Sequence, residues 1–187
     1  MNKLSLLIAL LLLAGCAQRP VIANLNLHLG PQPSGIYGEG VSAVLSGLDA
    51  RTSTELVVYL NDRPASRLDG TEPPGELIAQ KLREGLEQQG LQLQANAPVR
   101  VGFSINELLV TVTRARMLYS ADAKTSITLN VDNRGTVLTR VYRREASQSG
   151  AARTDLAVLE NMLNSQISDI LQQILHDEEV QAVISGR

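Results

Sequence analysis

Several residue types that build common catalytic sites are scarce in this sequence. Its 187 residues contain one cysteine, two histidines, one phenylalanine and no tryptophan. A single cysteine excludes an internal disulfide and a zinc site built on several cysteines. With two histidines and no G-x-S-x-G segment, a serine nucleophile lacks its usual context. We therefore expect that the protein is not an enzyme.

Charge of one sign is also missing. The chain has 17 Lys and Arg against 19 Asp and Glu, for a formal net charge of −2. A nucleic-acid-binding domain normally carries a clear basic excess, so nucleic acid is not an expected partner. The length is that of one domain of ordinary size.

The N-terminus has the order of a secretory signal peptide. Lys3 supplies positive charge, residues 4–13 are apolar apart from Ser5, and Ala14-Gly15 are small. As a helix, ten residues would span about 15 Å. The hydrocarbon core of a bilayer is about 30 Å thick, so this run is short for a membrane span. We expect residues 1–15 to be a cleaved signal peptide.

The segment Leu13-Ala14-Gly15-Cys16 resembles the lipobox of bacterial lipoproteins. The resemblance implies a diacylglyceryl thioether on Cys16, cleavage before it and acylation of its new amino group. The alternative is an ordinary signal peptide with an unrelated cysteine. Ala17, rather than Asp, follows the cysteine, which by the same resemblance implies the outer membrane. Residues 16–20 would then be a lipidated tether and residues 21–187 a single periplasmic domain.

Alternation of apolar residues predicts most of the strands. We expect strands at 21–29, 41–48 and 55–60, then a loop at 61–74. An apolar stripe through Leu82 and Leu86 predicts a helix that begins at Pro73-Pro74 and ends near Gly90.

A long apolar alternation begins at Val99 and changes phase between Ile105 and Leu108. A strand cannot change faces without an extra residue, which predicts a bulge or bend at 106–108. Strands at 119–131 and 136–146 flank a hairpin loop at 132–135. A long amphipathic helix follows, from Thr154 or Asp155 to Leu175. The expected fold is α+β: a mainly antiparallel sheet with two helices packed on one face.

The chain resembles the YajG-type family of uncharacterised lipoproteins of Gram-negative bacteria. The resemblance is carried by the lipobox, by Asp49-Ala50-Arg51 after an early strand, by 86–90 at a helix end, by the Asn133-Arg134-Gly135 hairpin and by the helix from about Thr154. It extends over nearly the full length. It implies location and fold, and it carries no established activity or catalytic residue.

Five arginines form the main local basic concentration, namely Arg114, Arg116, Arg140, Arg143 and Arg144. Guanidinium groups suit bidentate binding of carboxylate or phosphate, so these residues are a candidate contact for an anion or a partner. The alternative is a solvated sheet face on which Glu107 and Glu145 pair with them.

Three further motifs have structural interpretations. Asp49 and Arg51 predict a salt bridge that stabilises a turn, with a partner contact as the alternative. The residues of 176–179, His-Asp-Glu-Glu, point in different directions on a helix, so we expect no metal site. The G-x-G-x-x-A match at 38–43 precedes a strand rather than a helix, so we expect no cofactor.

The leading hypothesis is a membrane-anchored envelope lipoprotein of accessory or binding type. Acyl chains on Cys16 would hold it on the membrane, and an envelope protein or polymer would be its partner. The second hypothesis is a carrier for an apolar ligand such as lipid, with a cavity lined by Leu163, Ile167 and Ile170. A hydrolase is the third.

Overall fold

Seven strands and three helices form the part of the chain that the structure describes. The computed structural model describes residues 22–61, 66–151 and 154–187. The predicted signal peptide, Cys16 and the tether therefore lie outside the described residues. The elements are β1 (Ser42–Asp49), β2 (Glu55–Tyr59), β3 (Ser66–Asp69), α1 (Pro74–Gln88), β4 (Gln92–Leu93), β5 (Val99–Ala115), β6 (Leu118–Asn133), β7 (Thr136–Ala151), α2 (Leu156–His176) and α3 (Glu178–Ser185).

The sheet is built around the long strand β5. On one side, β6 runs antiparallel to β5 along its whole length, and β7 pairs with β6 in turn. On the other side, β1 and β2 lie one after the other, and both run parallel to β5. Short β4 adds to β1 in parallel, and β3 adds to β2 in antiparallel orientation.

The sheet is therefore mixed, and the prediction of a mainly antiparallel sheet is wrong. Parallel pairing requires a long crossover connection. Here the chain between β1 and β5 supplies one that contains α1. The period-two alternation that identified the strands carries no information on strand direction, so it could not show this.

The predicted bulge is confirmed. Ile105 pairs with Ile127, but Glu107 pairs with Ser126, so Asn106 is the extra residue. The buried side chains change from odd to even positions at this point, from Ile105 to Leu108. The bulge keeps both halves of β5 facing the core.

The predicted hairpin between β6 and β7 is also confirmed. Its loop is Arg134-Gly135, with φ of 52° and 95°. Positive φ at both central residues is the signature of a type I′ turn, whose twist matches that of the flanking strands. The register that starts at the Asn133–Thr136 pair then continues without interruption to Leu118–Ala151.

The helices pack on the sheet and on each other. α1 contacts β1, α2 contacts β5, β6 and β7, and α3 contacts β6 and β7. As predicted, Asp155 caps α2, since its side chain accepts from the Ala157 amide at 3.1 Å. The structure has three helices instead of the predicted two, and these contacts do not assign all three to one face.

The N-terminal segment is not the predicted strand. Within residues 22–29, only Ala23 forms a ladder bridge, to Gly70. The amides of Asn24 and Asn26 instead donate to side chains of α2, those of Glu160 (2.6 Å) and Asn164 (2.8 Å). The alternation reflects one side of an extended chain packed on the core. The predicted loop at 61–74 also contains β3, a strand too short to show a pattern.

Candidate functional site

The structure does not bring the five predicted arginines into one cluster. β6 lies between β5, which carries Arg114, and β7, which carries Arg140, Arg143 and Arg144. Arg114 pairs with Tyr119 of β6, which in turn pairs with Gly150 of β7. Six residues separate Gly150 from Arg144, or about 20 Å along the strand. One anion could not bridge that distance.

The arginines of β7 also point to different faces of the sheet. Arg140 and Arg144 pair with Leu129 and Thr125, so they share the face of the buried β6 residues, whereas Arg143 pairs with Ser126 on the other face. Arg116 lies in the hairpin loop between β5 and β6, with φ of 56°. In place of the expected Glu107 or Glu145, Arg140 forms ion pairs with Asp177 and Glu179 at the α2–α3 junction.

Arg140 stabilises the junction between α2 and α3. Its guanidinium forms an ion pair with Glu179, and its Nε lies 3.9 Å from Asp177 Oδ2. The Tyr142 hydroxyl donates to the same Asp177 oxygen at 2.8 Å. Burial and this hydrogen bond both raise the pKa of Tyr142 above its usual value. Arg140 therefore has a structural role.

Arg114 is engaged at the other end of the sheet. Its guanidinium carbon lies 4.8 Å from the centre of the Tyr59 ring, a cation–π distance. Its backbone carbonyl accepts from Asn61 Nδ2 at 2.5 Å. Arg114 thus joins the end of β5 to the end of β2.

Asp49 and Arg51 form a bidentate ion pair. Arg51 Nε and Nη2 lie 2.9 and 2.8 Å from the two Asp49 carboxylate oxygens. Arg51 Nη1 also donates to the carbonyls of Glu55 (3.4 Å) and Leu108 (3.3 Å). The hydrogen bond from Arg51 holds the pKa of Asp49 below its usual value. The ion pair therefore connects the end of β1 to the start of β2 and to β5 just after its bulge. This is a structural function.

A groove lies between β7 and α2, and we call it the β7 groove. Its volume is about 510 Å³. Its lining combines charged, amide, hydroxyl and apolar side chains, from Arg144, Glu145, Ala146, Gln148, Val158, Asn161, Met162, Ser165, Gln166 and Asp169. At its base, the buried Gln166 side chain accepts from Thr125 Oγ1 at 2.7 Å and donates to the Ala123 carbonyl at 3.0 Å. These bonds attach α2 to β6 at the base of the groove.

The outer side of β7, which faces away from β6, lies beside this groove. Among the described residues, β7 pairs with β6 alone. A two-residue hairpin loop closes on a hydrogen-bonded pair, here Asn133 and Thr136, and bonded pairs then alternate with non-bonded ones. The even-numbered residues of β7 therefore bond to β6. The odd-numbered residues direct their N–H and C=O groups outward.

Charge divides this outer side into two parts. Arg140, Arg143, Arg144 and Glu145 occupy its middle, and charged side chains discourage further pairing at a sheet edge. Residues 146–151, Ala-Ser-Gln-Ser-Gly-Ala, are uncharged and, apart from Gly150, exposed. Residues 146–151 are the part of β7 best suited to accept another strand.

Sequence reasoning missed this site. Residues 146–151 have no alternation, and the predicted strand ended at 146, whereas β7 extends to Ala151. These small polar residues form a strand because they pair with residues 118–123 of β6. That β7 is an edge strand becomes apparent only in the assembled sheet. The single available signal was the change from charged to small residues after Glu145.

The described ranges 22–61, 66–151 and 154–187 lack the features of three other kinds of site. No group of three or more His, Cys, Asp or Glu is placed to hold a metal ion. No helix there is long and apolar enough to cross a bilayer. Leu163, Ile167 and Ile170 are fully buried core residues and do not line the β7 groove.

Comparison with known proteins identifies a class of bacterial lipoproteins. Residues 31–185 match the model of a family described as uncharacterized lipoprotein, and the chain belongs to this family. The chain is 24% identical to the uncharacterized lipoprotein YajG of Escherichia coli K12 over 181 residues, which cover 95% of this chain and 93% of YajG. The family resemblance drawn from the sequence is thereby confirmed.

A solved structure shares the fold. The crystal structure of XCC0632 from Xanthomonas campestris superposes with a TM-score of 0.60 at 10% identity. The match covers 87% of this chain and 96% of XCC0632. At this identity the likeness concerns the fold alone.

Proposed function

We propose that this lipoprotein is anchored in the outer membrane by acyl chains on Cys16 and binds a partner protein with its periplasmic domain. Membership of a lipoprotein family supports the anchor, as does the lipobox at 13–16. The proposed role is that of a non-enzymatic binding subunit. The partner would contribute an extended segment that pairs with residues 146–151 of β7.

The outward backbone groups of β7 carry this proposal. Three residues of 146–151, Ser147, Ser149 and Ala151, direct N–H and C=O groups outward. An extended peptide satisfies such groups by adding a strand, which supplies affinity through main-chain hydrogen bonds. A sugar polymer has no matching alternation of donors and acceptors at strand spacing. A protein segment is therefore the occupant that this edge favours.

The β7 groove would supply specificity. Side chains of an added strand alternate between the two faces of the sheet, and those on the α2 side would enter the groove. Arg144 and Asp169 place both signs of charge there, while Val158 and Met162 offer apolar contact. This mixed lining suits a polypeptide with varied side chains. The packed positions of Leu163, Ile167 and Ile170 give no support to the lipid-carrier alternative.

In-cell photocross-linking of the full-length, lipidated protein tests the proposal. A photoreactive amino acid replaces Gln148, which lines the groove, and in a control replaces Val137 at the other end of β7. The second change is Ser149→Pro, which removes one outward N–H but leaves the ladder to β6 intact. Ser149→Ala is its matched control, because it keeps that N–H.

We expect a discrete protein adduct at position 148 that persists with Ser149→Ala and is lost with Ser149→Pro. Circular dichroism checks that the proline variant is folded. Adducts only to envelope polymer, or a protein adduct that survives Ser149→Pro, would contradict β-strand addition at this edge.

A further inference from the structure

We propose that the hairpin loop between β5 and β6 contacts the surface of the membrane that holds the anchor. The hairpin tip is defined here as residues 115–118, Ala-Arg-Met-Leu. This inference rests on the lipid anchor of the proposed function, and it adds a second, non-covalent contact and a fixed orientation. It does not depend on the identity of the protein partner.

The tip exposes large apolar side chains. Met117 is 81% exposed and Leu118 is 62% exposed. Leu60, 56% exposed, lies at the same end of the sheet, since its amide donates to the Val112 carbonyl at 3.0 Å. Apolar side chains exposed together at one end of a domain indicate a contact with another apolar phase.

Positive charge accompanies these apolar residues. Between Leu108 and Ala121 there is no Asp or Glu; Arg114 lies over the Tyr59 ring, and Arg116 is exposed in the hairpin loop. Arginine beside exposed apolar side chains is the combination found at membrane interfaces, where the stem lies along the apolar surface and the guanidinium meets lipid phosphate.

The direction of the chain at Ala23 favours an anchor at this same end. β2 runs parallel to β5, toward the hairpin tip, and β3 returns in the opposite direction. Ala23 bridges Gly70 in parallel with the chain leaving β3, so it too runs away from the tip. The backbone therefore enters Ala23 from the hairpin end of the sheet.

The reach of the tether agrees with this direction. Seven residue steps separate Cys16 from Ala23, so at full extension they span at most about 25 Å. Val57 pairs with Val110, so Glu55, two residues earlier, lies beside Leu108. Glu55 pairs with Asp69, which precedes the Gly70 that bridges Ala23. Ala23 therefore lies near the level of Leu108 along the sheet. Nine further steps along the hairpin lead to Met117, or about 30 Å.

Measured along the strands, Met117 therefore lies about 5 Å farther from Ala23 than the fully extended tether can reach. The opposite hairpin, at Arg134-Gly135, is about 50 Å from the tip along β6. The outward edge of β7 remains exposed beside the membrane, because Ala151 pairs with Leu118 at the tip.

Site-specific fluorescence on the full-length, lipidated protein tests this inference. Cys16 is the sole natural cysteine, and its sulfur is blocked once it carries lipid. A cysteine introduced by Met117→Cys can therefore be labelled alone with an environment-sensitive dye. Val137→Cys is the matched control, since Val137 is 66% exposed and lies in the hairpin at the other end. Both proteins are reconstituted into phosphatidylethanolamine and phosphatidylglycerol vesicles that contain brominated lipid.

We expect quenching several-fold stronger at position 117 than at position 137, with a blue shift of the emission at 117. Adding Leu118→Asp to the labelled protein should reduce both effects while the protein stays on the vesicles. Equal quenching at both positions, or stronger quenching at 137, would overturn the inference and leave the anchor intact. Failure of the native protein to stay on the vesicles would instead refute the anchor, and the inference with it.

Discussion

Arg51 occupies a loop in the sequence, yet its side chain is only 6% exposed. The reason is the break between β1 and β2, two strands that lie along the same side of β5. At this break Arg51 donates to the backbone carbonyls of Glu55 and Leu108. Asp49 neutralises the buried guanidinium. The sequence placed these two residues on one face, and the structure adds the carbonyls that explain their position.

We expect Asp49→Asn to lower the free energy of unfolding by about 1–3 kcal/mol at neutral pH. The variant leaves charged donors of Arg51 with a weaker partner inside the protein. Urea denaturation of both proteins measures the difference. Glu87→Gln, which removes one negative charge at an exposed position of α1 away from this pair, serves as the control for altered net charge.

The difference should depend on pH. The pKa of Asp49 is lower in the folded protein than the value of about 3.9 for an unfolded chain. The ionised Asp49 therefore adds stability above the unfolded pKa, and this stability is lost as pH falls through the folded pKa. Wild type and Asp49→Asn should converge in acid. A constant difference down to about pH 2 would contradict this account.

At the scale of elements, Asp177 separates α2 from α3. Its side chain accepts from the amides of Glu179 (3.1 Å) and Val180 (3.2 Å), which makes it the N-cap of α3. Its other oxygen accepts from the Tyr142 hydroxyl of β7. One carboxylate thus begins a helix and attaches that helix to the outermost strand.

Two substitutions separate these roles. Asp177→Ala removes both the cap and the acceptor for Tyr142, and should destabilise the protein by about 2–4 kcal/mol. Asp177→Ser keeps a capping oxygen, but its side chain is too short to reach Tyr142. We therefore expect it to lower the free energy of unfolding by about half as much as Asp177→Ala does. Thermal unfolding followed by circular dichroism measures both. Equal losses in the two variants would show that capping contributes nothing here.

Most elements followed from local patterns, and the exceptions have physical causes. The bulge of β5, the Arg134-Gly135 hairpin and the Asp155 cap each depend on a few neighbouring residues. The segment 22–29 was misassigned because side chains of α2, Glu160 and Asn164, satisfy its amides in place of a neighbouring strand. No pattern within the segment could distinguish the two.

At the scale of the whole molecule, the proposed lipid anchor is attached to a domain whose sheet is about 50 Å long. A single acyl chain binds a bilayer only marginally, whereas several hold a protein durably. The hairpin tip would then set the orientation of the sheet, and β7 would present its outer edge to a partner.

We expect Cys16→Ser to leave an unlipidated precursor. Metabolic labelling with palmitate should mark the wild type but not this variant, because the serine hydroxyl cannot replace the thiol that receives lipid. Ala17→Asp is a useful companion. By resemblance to other lipoproteins, it should be labelled normally but fractionate with the inner membrane. Palmitate incorporation into Cys16→Ser would refute the lipobox interpretation.

Features encoded within a few residues could be recognised from the amino-acid order alone. These include the lipobox, the strand alternations, the bulge at Asn106 and the helix that begins after Asp155. Strand direction, the separation of the five arginines and the exposed edge of β7 arise only on assembly. Alternation reports which side of a strand is buried, while neighbours are chosen by the crossover through α1 and by the order in which β5, β6 and β7 pair. The candidate binding edge belongs to this second group, because an edge is a property of a sheet and not of a strand.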